Sequence, residues 1–178
     1  MITPIHQCLV NKKTTINPVW FMRQAGRYLP EFRKIRRLNP NFIDLFLNNN
    51  LSTEITLQPL KRFDLSAAII FSDILMVPYG LNQKVNFIKN FGPQLGEINS
   101  ENLLNTGKEE FIKKLQPIYN CIKKVKSNTL IENKNLIGFV GAPWTLLLYM
   151  LNKESPKNNF NFNKINKDKY LINNLLKK

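Results

Sequence analysis

The sequence is poor in the residues on which metal-dependent and thiol-dependent catalysis relies. Its 178 residues include two cysteines, Cys8 and Cys121, and a single histidine, His6. Two cysteines cannot form a disulfide framework, and no Cys-x-x-Cys pair is present. One histidine excludes a histidine-rich metal site and argues against a catalytic triad within the chain. A glycine-rich loop for nucleotide phosphates is also missing. These absences exclude several large classes of enzyme.

Long apolar runs are missing as well. No run approaches the ~18 consecutive apolar residues that a membrane-spanning helix needs, and residues 1–15 contain no apolar core of a signal peptide. Hydrophobic residues still make up 43% of the chain, which is too many for a disordered protein. We therefore expect a soluble, cytoplasmic, globular protein with no membrane partner.

The charge is strongly positive, and lysine and arginine are distributed differently. The formal net charge is +14. The lysines are scattered among many asparagines, which indicates a compositional bias and a solvated surface. We therefore expect no nucleic-acid partner, although a basic nucleic-acid-binding module is the alternative from another class. Five of the six arginines instead lie between Arg23 and Arg37. This local cluster of guanidinium groups predicts binding of carboxylate or phosphate.

Three short apolar runs predict the buried strands of a parallel sheet. They are Val19–Met22, Ala67–Phe71 and Leu136–Val140. None alternates apolar with polar residues, so each should be covered on both faces. Helical segments lie between the strands, and this order indicates an α/β fold.

Periodicity predicts the intervening elements. Residues 107–126 form an amphipathic helix that Pro117 should kink or divide. Residues 52–62 form a shorter helix with Ser52 as its N-cap. An excursion hairpin is predicted over residues 83–98, and a further helix over residues 169–176.

Polar residues follow each predicted strand. Arg23 and Arg27 follow the first strand, Asp73 follows the second, and a Gly-Ala-Pro turn follows the third. The carboxyl ends of the strands carry the active site in (β/α)₈ barrels. A plainer alternative is that Asp73 caps a turn and that the arginines form surface salt bridges. A full barrel needs about 250 residues, so we predict a partial (β/α)₈ TIM barrel in one truncated domain, residues 1–178.

Three stretches resemble the signatures of one enzyme family. They are Pro18–Arg33, with its string Arg-Gln-Ala-Gly-Arg-Tyr-Leu-Pro, and residues 56–75 and 138–146. Their order and spacing over residues 17–151 are similar to those of uroporphyrinogen decarboxylases. The resemblance implies a homodimeric carboxy-lyase barrel of haem biosynthesis that needs neither metal nor organic cofactor. It would remove the four acetate carboxyl groups of uroporphyrinogen III to give coproporphyrinogen III. A barrel methyltransferase of the related corrinoid or thiol family is the alternative.

The resemblance also implies roles for individual residues. Asp73 and Arg23 would be catalytic. The residues that bind substrate would be Arg23, Gln24, Ala25, Gly26, Arg27, Asp73 and Tyr149, with Arg36 as a possible addition. An ionised carboxylate has about four acceptor sites, so Asp73 could accept from several pyrrole N–H groups. Arg23 could donate a proton or act only as an electrostatic clamp, because guanidinium is a poor acid.

Three features depart from the family pattern. Ser66 stands where an aspartate usually precedes the second strand, and Asn152–Pro156 replaces a glycine-rich loop. The second half of the barrel, with its substrate-contacting Ser or Thr and His, is also missing. We therefore expect this 178-residue chain alone to be inactive and its complete parent to be active.

Overall fold

Helices outnumber strands in the computed structural model, which describes residues 3–12, 17–24, 26–156 and 169–178. The helices are α1 (Pro4–Asn11), α2 (Pro30–Leu38), α3 (Phe42–Leu47), α4 (Asn49–Arg62), α5 (Met76–Gly80), α6 (Ser100–Asn105), α7 (Lys108–Lys126), α8 (Pro143–Asn152) and α9 (Lys169–Lys177). The strands are β1 (Ala67–Ile69), β2 (Val85–Ile88), β3 (Gly92–Leu95) and β4 (Asn135–Ile137). The chain is therefore α/β, as predicted. No helix within these ranges is long and apolar enough to cross a membrane.

The chain divides into two units. Unit 1 comprises the residues up to Pro40, Asp44–Ser72 and Pro117–Phe139. Unit 2 comprises Asn41–Ile43, Asp73–Gln116 and the residues from Val140 onward. Strands β1 and β4 therefore belong to unit 1, and the β2–β3 hairpin belongs to unit 2.

A two-stranded parallel sheet lies in unit 1. β1 pairs with β4 in the register Ala67↔Asn135 to Ile69↔Ile137, and the Ile70 N–H donates to the Ile137 carbonyl at 3.0 Å. The second and third predicted strands are thus confirmed as parallel neighbours. β4 begins one residue earlier than predicted and ends at Ile137, whereas residues 138–140 are exposed and lie outside the strand. The described strands form no closed sheet.

The prediction of a first strand over Val19–Met22 is wrong. These four side chains are 42% to 81% exposed, and the segment has no regular secondary structure. Val19 is bonded to the residue before β1, since its carbonyl accepts from the Ser66 N–H at 2.8 Å. The chain then turns, with the Gln24 N–H donating to the Phe21 carbonyl at 3.0 Å. An apolar run becomes a strand only when its backbone continues along a neighbour, and here the turn ends that pairing.

Helix α4 begins earlier than predicted, because Asn48 rather than Ser52 is its N-cap. The Asn48 side-chain oxygen accepts from the N–H groups of Asn50 and Leu51, each at 3.1 Å. It thereby satisfies two N–H groups that the first turn of a helix leaves without partners. Ser52 instead lies inside the helix, and its hydroxyl donates to the Asn48 carbonyl at 2.8 Å.

The prediction that Pro117 divides its helix is also wrong, since α7 runs unbroken from Lys108 to Lys126. Leu115, Cys121 and Val125 are buried along it, which confirms the amphipathic pattern. In unit 1 its second half joins α4 and β1 in one apolar core. That core contains Leu57, Leu60, Leu65, Ala68, Ile70, Cys121, Val125 and Ile131.

Unit 2 contains the hairpin and α9, both as predicted. β2 and β3 are antiparallel, with Val85 opposite Leu95 and Ile88 opposite Gly92. Asn90 and Gly92 have φ values of 69° and 91°, a left-handed backbone that Asn and Gly adopt most readily. These two residue types therefore account for the position of the turn.

Thr56 links α4 to the end of β1 through one buried hydroxyl. Its Oγ1 donates to the Ser52 carbonyl at 2.7 Å and accepts from the Phe71 N–H at 2.9 Å. We expect Thr56→Val to lower the free energy of unfolding by about 1–3 kcal/mol, because it leaves the buried Phe71 N–H without a partner. Urea denaturation measures the loss. Thr56→Ser keeps the hydroxyl and should lose much less, so equal losses in the two variants would contradict this explanation.

Candidate active site

Arg36 is a partly buried arginine of unit 1. It lies on α2 and donates from Nη1 to the Asn39 carbonyl at 2.5 Å. Its pKa is lowered, first by burial and second by the positive charge of Arg27. A carboxylate beside Arg36 would offset this effect and could accept hydrogen bonds from the guanidinium group.

Arg23 is exposed and lines a pocket of about 330 Å³ in unit 1. The remaining lining residues are mainly apolar or aromatic: Phe21, Gln24, Tyr28, Pro59, Phe63 and Leu65. Phe63 and Leu65 precede β1, so Arg23 lies beside the beginning of that strand. The sequence had placed Arg23 beyond the carboxyl end of a first strand. The turn at Phe21–Gln24 accounts for the difference.

Gln24 faces the interior of unit 1, and it is only 4% exposed. Its Oε1 accepts from the Phe21 N–H at 3.1 Å, and its Nε2 donates to the Ala67 carbonyl at 2.7 Å. Both ends of the side-chain amide are thus engaged by the protein backbone. The sequence offered no signal for the bond to Ala67, because Gln24 and Ala67 are far apart in the chain.

Gly26 is buried next to Leu29, which is 2% exposed. A Cβ atom on Gly26 would lie 2.5 Å from the Leu29 Cγ atom. The glycine therefore makes room for a core side chain at the beginning of α2. Ala25, which the resemblance places among the substrate-binding residues, lies outside the described residues.

The other charges near this segment differ in their surroundings. Arg62 donates from Nε to Glu31 at 2.7 Å, and this hydrogen bond lowers the pKa of the Glu31 carboxyl group. Arg33 and Arg37 are exposed on α2. Arg36 differs from them, because it is partly buried and its pKa is lowered.

Asp73 lies in unit 2, at the turn that leads into α5. It is partly buried, and its Oδ1 accepts from the Leu75 N–H at 2.9 Å. Its backbone carbonyl accepts from the Met76 N–H at 3.1 Å. The turn-capping contact of the plainer alternative is therefore present. That contact uses one carboxylate oxygen and does not by itself exclude binding of a ligand by the same group.

Tyr149 also lies in unit 2, on α8, and is partly buried. Its hydroxyl is 3.3 Å from the Ser155 Oγ. The loop after α8 is fixed to β3, since the Leu95 N–H donates to the Lys153 carbonyl at 2.7 Å and Lys153 forms an ion pair with Glu97. Sequence reasoning missed Ser155 as a partner of Tyr149, although the departure at Asn152–Pro156 marked this loop.

Comparison with known proteins assigns the family. The model for uroporphyrinogen decarboxylase (URO-D) matches residues 3–178. The chain belongs to the uroporphyrinogen decarboxylase family. It is 49% identical over 134 residues to a uroporphyrinogen decarboxylase of Rickettsia canadensis, and 48% and 46% identical over the same length to those of Rickettsia felis and Rickettsia akari.

The matched segment is a minor part of each relative. The alignments cover 75% of this chain but 39%, 38% and 39% of the Rickettsia canadensis, Rickettsia felis and Rickettsia akari proteins. The chain therefore spans about two fifths of the length of these relatives. Family membership confirms the resemblance stated from the sequence and favours the decarboxylase over the methyltransferase alternative.

Proposed function

We propose that this chain forms the carboxylate-binding part of an enzyme that decarboxylates uroporphyrinogen III. The arginine-rich segment carries this proposal, because Arg23 lines a pocket of unit 1, Arg27 is exposed on the same segment, and guanidinium groups suit a substrate with eight carboxylates. Family membership supports the choice of a tetrapyrrole over other polycarboxylates. Tyr149 would donate a further hydrogen bond to one of these carboxylates.

Asp73 would act on the macrocycle itself. Loss of CO₂ from an acetate arm leaves an electron pair, and a pyrrole ring that has first been protonated on carbon can accept it. The methylene carbon then takes up a proton and the ring loses one, so each step replaces a carboxylate with hydrogen. A fixed carboxylate that accepts from the pyrrole N–H groups favours the cationic ring, and more strongly away from bulk water. The ring would thus serve as the electron acceptor that a cofactor provides elsewhere.

Arg23 is assigned here to carboxylate binding and not to proton donation. Guanidinium groups are poor acids, and Arg23 is exposed to solvent. Solvent would then supply the proton, with a water molecule relaying it from hydronium to the ring carbon. Arg23 would hold an acetate or propionate arm at the edge of the site, as a clamp of fixed charge.

The finer architectural predictions remain part of this proposal. The parallel pair β1–β4, with α4 and α7 packed in the same core, would be one section of a (β/α)₈ barrel. The complete enzyme would be a cytoplasmic homodimer without metal or organic cofactor. These expectations derive from the family resemblance, and the α/β order of the described residues agrees with them.

Joining this chain to the remaining part of the Rickettsia canadensis relative tests the proposed activity. We call this fusion the completed enzyme. It should convert uroporphyrinogen III to coproporphyrinogen III, which chromatography of the oxidised porphyrins measures directly. The 178-residue chain alone should show no turnover, and the C-terminal part of the relative alone serves as the matched control.

Two outcomes would contradict the proposal. A folded fusion that neither binds uroporphyrin III nor decarboxylates the substrate would exclude the assigned role. Bound zinc together with methyl transfer to a thiol would establish the methyltransferase alternative. A zinc assay on the purified fusion separates this case from the decarboxylase.

A further inference from the structure

We infer that Gln24 is a positioning residue, which fixes the arginine-bearing segment to β1 and does not itself touch substrate. The inference rests on the proposed function, in which Arg23 and Arg27 bind substrate carboxylates. It changes the role that the family resemblance implies for Gln24 in this chain.

The hydrogen bonds of Gln24 support this assignment. Its Nε2 donates to the Ala67 carbonyl in β1 at 2.7 Å, and its Oε1 accepts from the Phe21 N–H at 3.1 Å. The side chain is almost fully buried. Because the amide is buried and both of its ends are bonded to the backbone, a ligand could reach it only if the segment moved, and any bond lost would leave a backbone group without its partner.

Gln24 is one of two anchors that flank Arg27. The second anchor is Leu29, whose buried side chain fills the space that the missing Cβ of Gly26 leaves open. The Leu29 N–H also donates to the Gly26 carbonyl at 2.8 Å. Arg23 and Arg27 are exposed beside these buried anchors. Gln24 and Leu29 are thus held in the interior while the guanidinium groups of Arg23 and Arg27 stay exposed.

Ser66 forms two further hydrogen bonds to the chain just before Gln24. Its Oγ accepts from the Val19 N–H at 3.0 Å, and its own N–H donates to the Val19 carbonyl at 2.8 Å. Ser66 stands where the family resemblance leads us to expect an aspartate, and a hydroxyl oxygen can accept the same kind of hydrogen bond. The segment is therefore bonded to two consecutive residues at the start of the sheet, through Val19 to Ser66 and through Gln24 to Ala67.

Amide hydrogen exchange on the 178-residue chain tests the anchor itself. Gln24→Ala should accelerate exchange of the Phe21 N–H, which loses its acceptor. The Val19 N–H, which is bonded to Ser66, should change less and serves as an internal control. Unchanged protection of Phe21 would overturn the inference, whatever the activity of the completed enzyme.

Binding of uroporphyrin III, the oxidised and non-reacting form of the proposed substrate, tests the positioning role in the completed enzyme. Gln24→Ala should weaken binding by about tenfold, because small displacements of binding groups have large effects. The matched control is Gln83→Ala in unit 2. Gln83 is 3% exposed and donates to the carbonyls of Gly96 and Met150, so its loss should lower stability but leave porphyrin affinity unchanged.

Gln24→Glu supplies a readout that a merely structural role would not produce. A protonated carboxyl group offers one donor and one acceptor, as the amide does, whereas a carboxylate offers acceptors only. The affinity of Gln24→Glu for uroporphyrin III, relative to that of the unsubstituted completed enzyme, should therefore recover as the pH falls from about 8 to about 5. This range includes the pKa values of buried carboxyl groups. Comparison with the parent at each pH cancels the titration of other groups.

The outcomes separate this inference from the proposed function. If the parent fusion binds uroporphyrin III and Gln24→Ala affects affinity no more than Gln83→Ala, Gln24 has no positioning role and the function stands. If the parent fusion does not bind the porphyrin, the proposed function and the positioning role both fail. A pH profile of Gln24→Glu parallel to that of the parent would also overturn the inference.

Discussion

Replacement of Asp73 by asparagine should lower the turnover of the completed enzyme by about 100-fold or more, the magnitude typical of losing a group that stabilises transition-state charge. Asparagine keeps an oxygen at the position that accepts the Leu75 N–H at 2.9 Å, so the turn before α5 should stay intact. The substitution removes the negative charge and replaces the second carboxylate oxygen by an NH₂ donor. Because binding draws on the arginines as well, we expect kcat to fall more than affinity for uroporphyrin III. Steady-state kinetics and porphyrin titration measure the two effects.

Two further variants decide between catalysis and turn capping at Asp73. Asp73→Ala removes both the charge and the acceptor, so it should reduce thermal stability as well as turnover. Asp64→Asn is the matched control, since the Asp64 carboxylate is fully exposed and pairs with Lys134 at 3.1 Å. If Asp73→Asn keeps parental turnover while Asp73→Ala is unstable, the residue only caps the turn and the proposed mechanism is wrong.

The sequence predicted the elements whose signals are local or repeated. The strands around Ala68 and Leu136, the hairpin at Asn90–Gly92 and the helix ending at Lys126 all follow from runs, turns or periodicity. The observed boundaries differ from the predicted ones, because each helix or strand begins and ends where particular hydrogen-bond partners are available. The start of α4 shows this, since the Asn48 side chain accepts from the N–H groups of Asn50 and Leu51, whereas Ser52 lies inside the helix.

The apolar run Val19–Met22 shows what a local pattern cannot supply. Hydrophobicity indicates that side chains need cover, but not whether a neighbouring backbone is present to provide it. Trp20 and Trp144 are 42% and 46% exposed, whereas Phe71 is buried at 6%. Phe71 differs because Phe32 and Phe46 contact its ring at 5.9 Å and 5.1 Å between centroids.

The residue types of the candidate site could be predicted from the sequence, and their surroundings could not. The arginine cluster was visible in the sequence, but the partial burial of Arg36 depends on how α2 packs. The internal role of Gln24 depends on Ala67, which is distant in the chain. The partner of Tyr149 lies in a loop that departs from the family pattern. Such contacts are set by tertiary structure, which no local pattern encodes.

Arg27→Gln should raise the KM of the completed enzyme by about 10- to 100-fold, which corresponds to roughly 1.4–2.8 kcal/mol of lost binding to a charged group. Arg36→Gln should also raise KM. If both guanidinium groups bind one carboxylate, the double variant should lose less than the sum of the two single losses. Removal of Arg27 also removes the lesser of the two causes, after burial, that lower the pKa of Arg36.

Arg37→Gln is the matched control for this cycle, because Arg37 is an exposed arginine on the same helix. Its loss removes the same charge and should change KM much less than either variant of the pair. An arginine can lower KM by long-range attraction of the substrate or by direct contact with a carboxylate. Measuring KM at low and high salt separates these contributions, since salt screens the long-range attraction more than the direct contact. Additive losses from Arg27 and Arg36 would show that they bind different arms of the substrate. Equal losses from Arg37 and Arg27 would reduce the cluster to a diffuse positive field and would remove the main support for a carboxylate clamp.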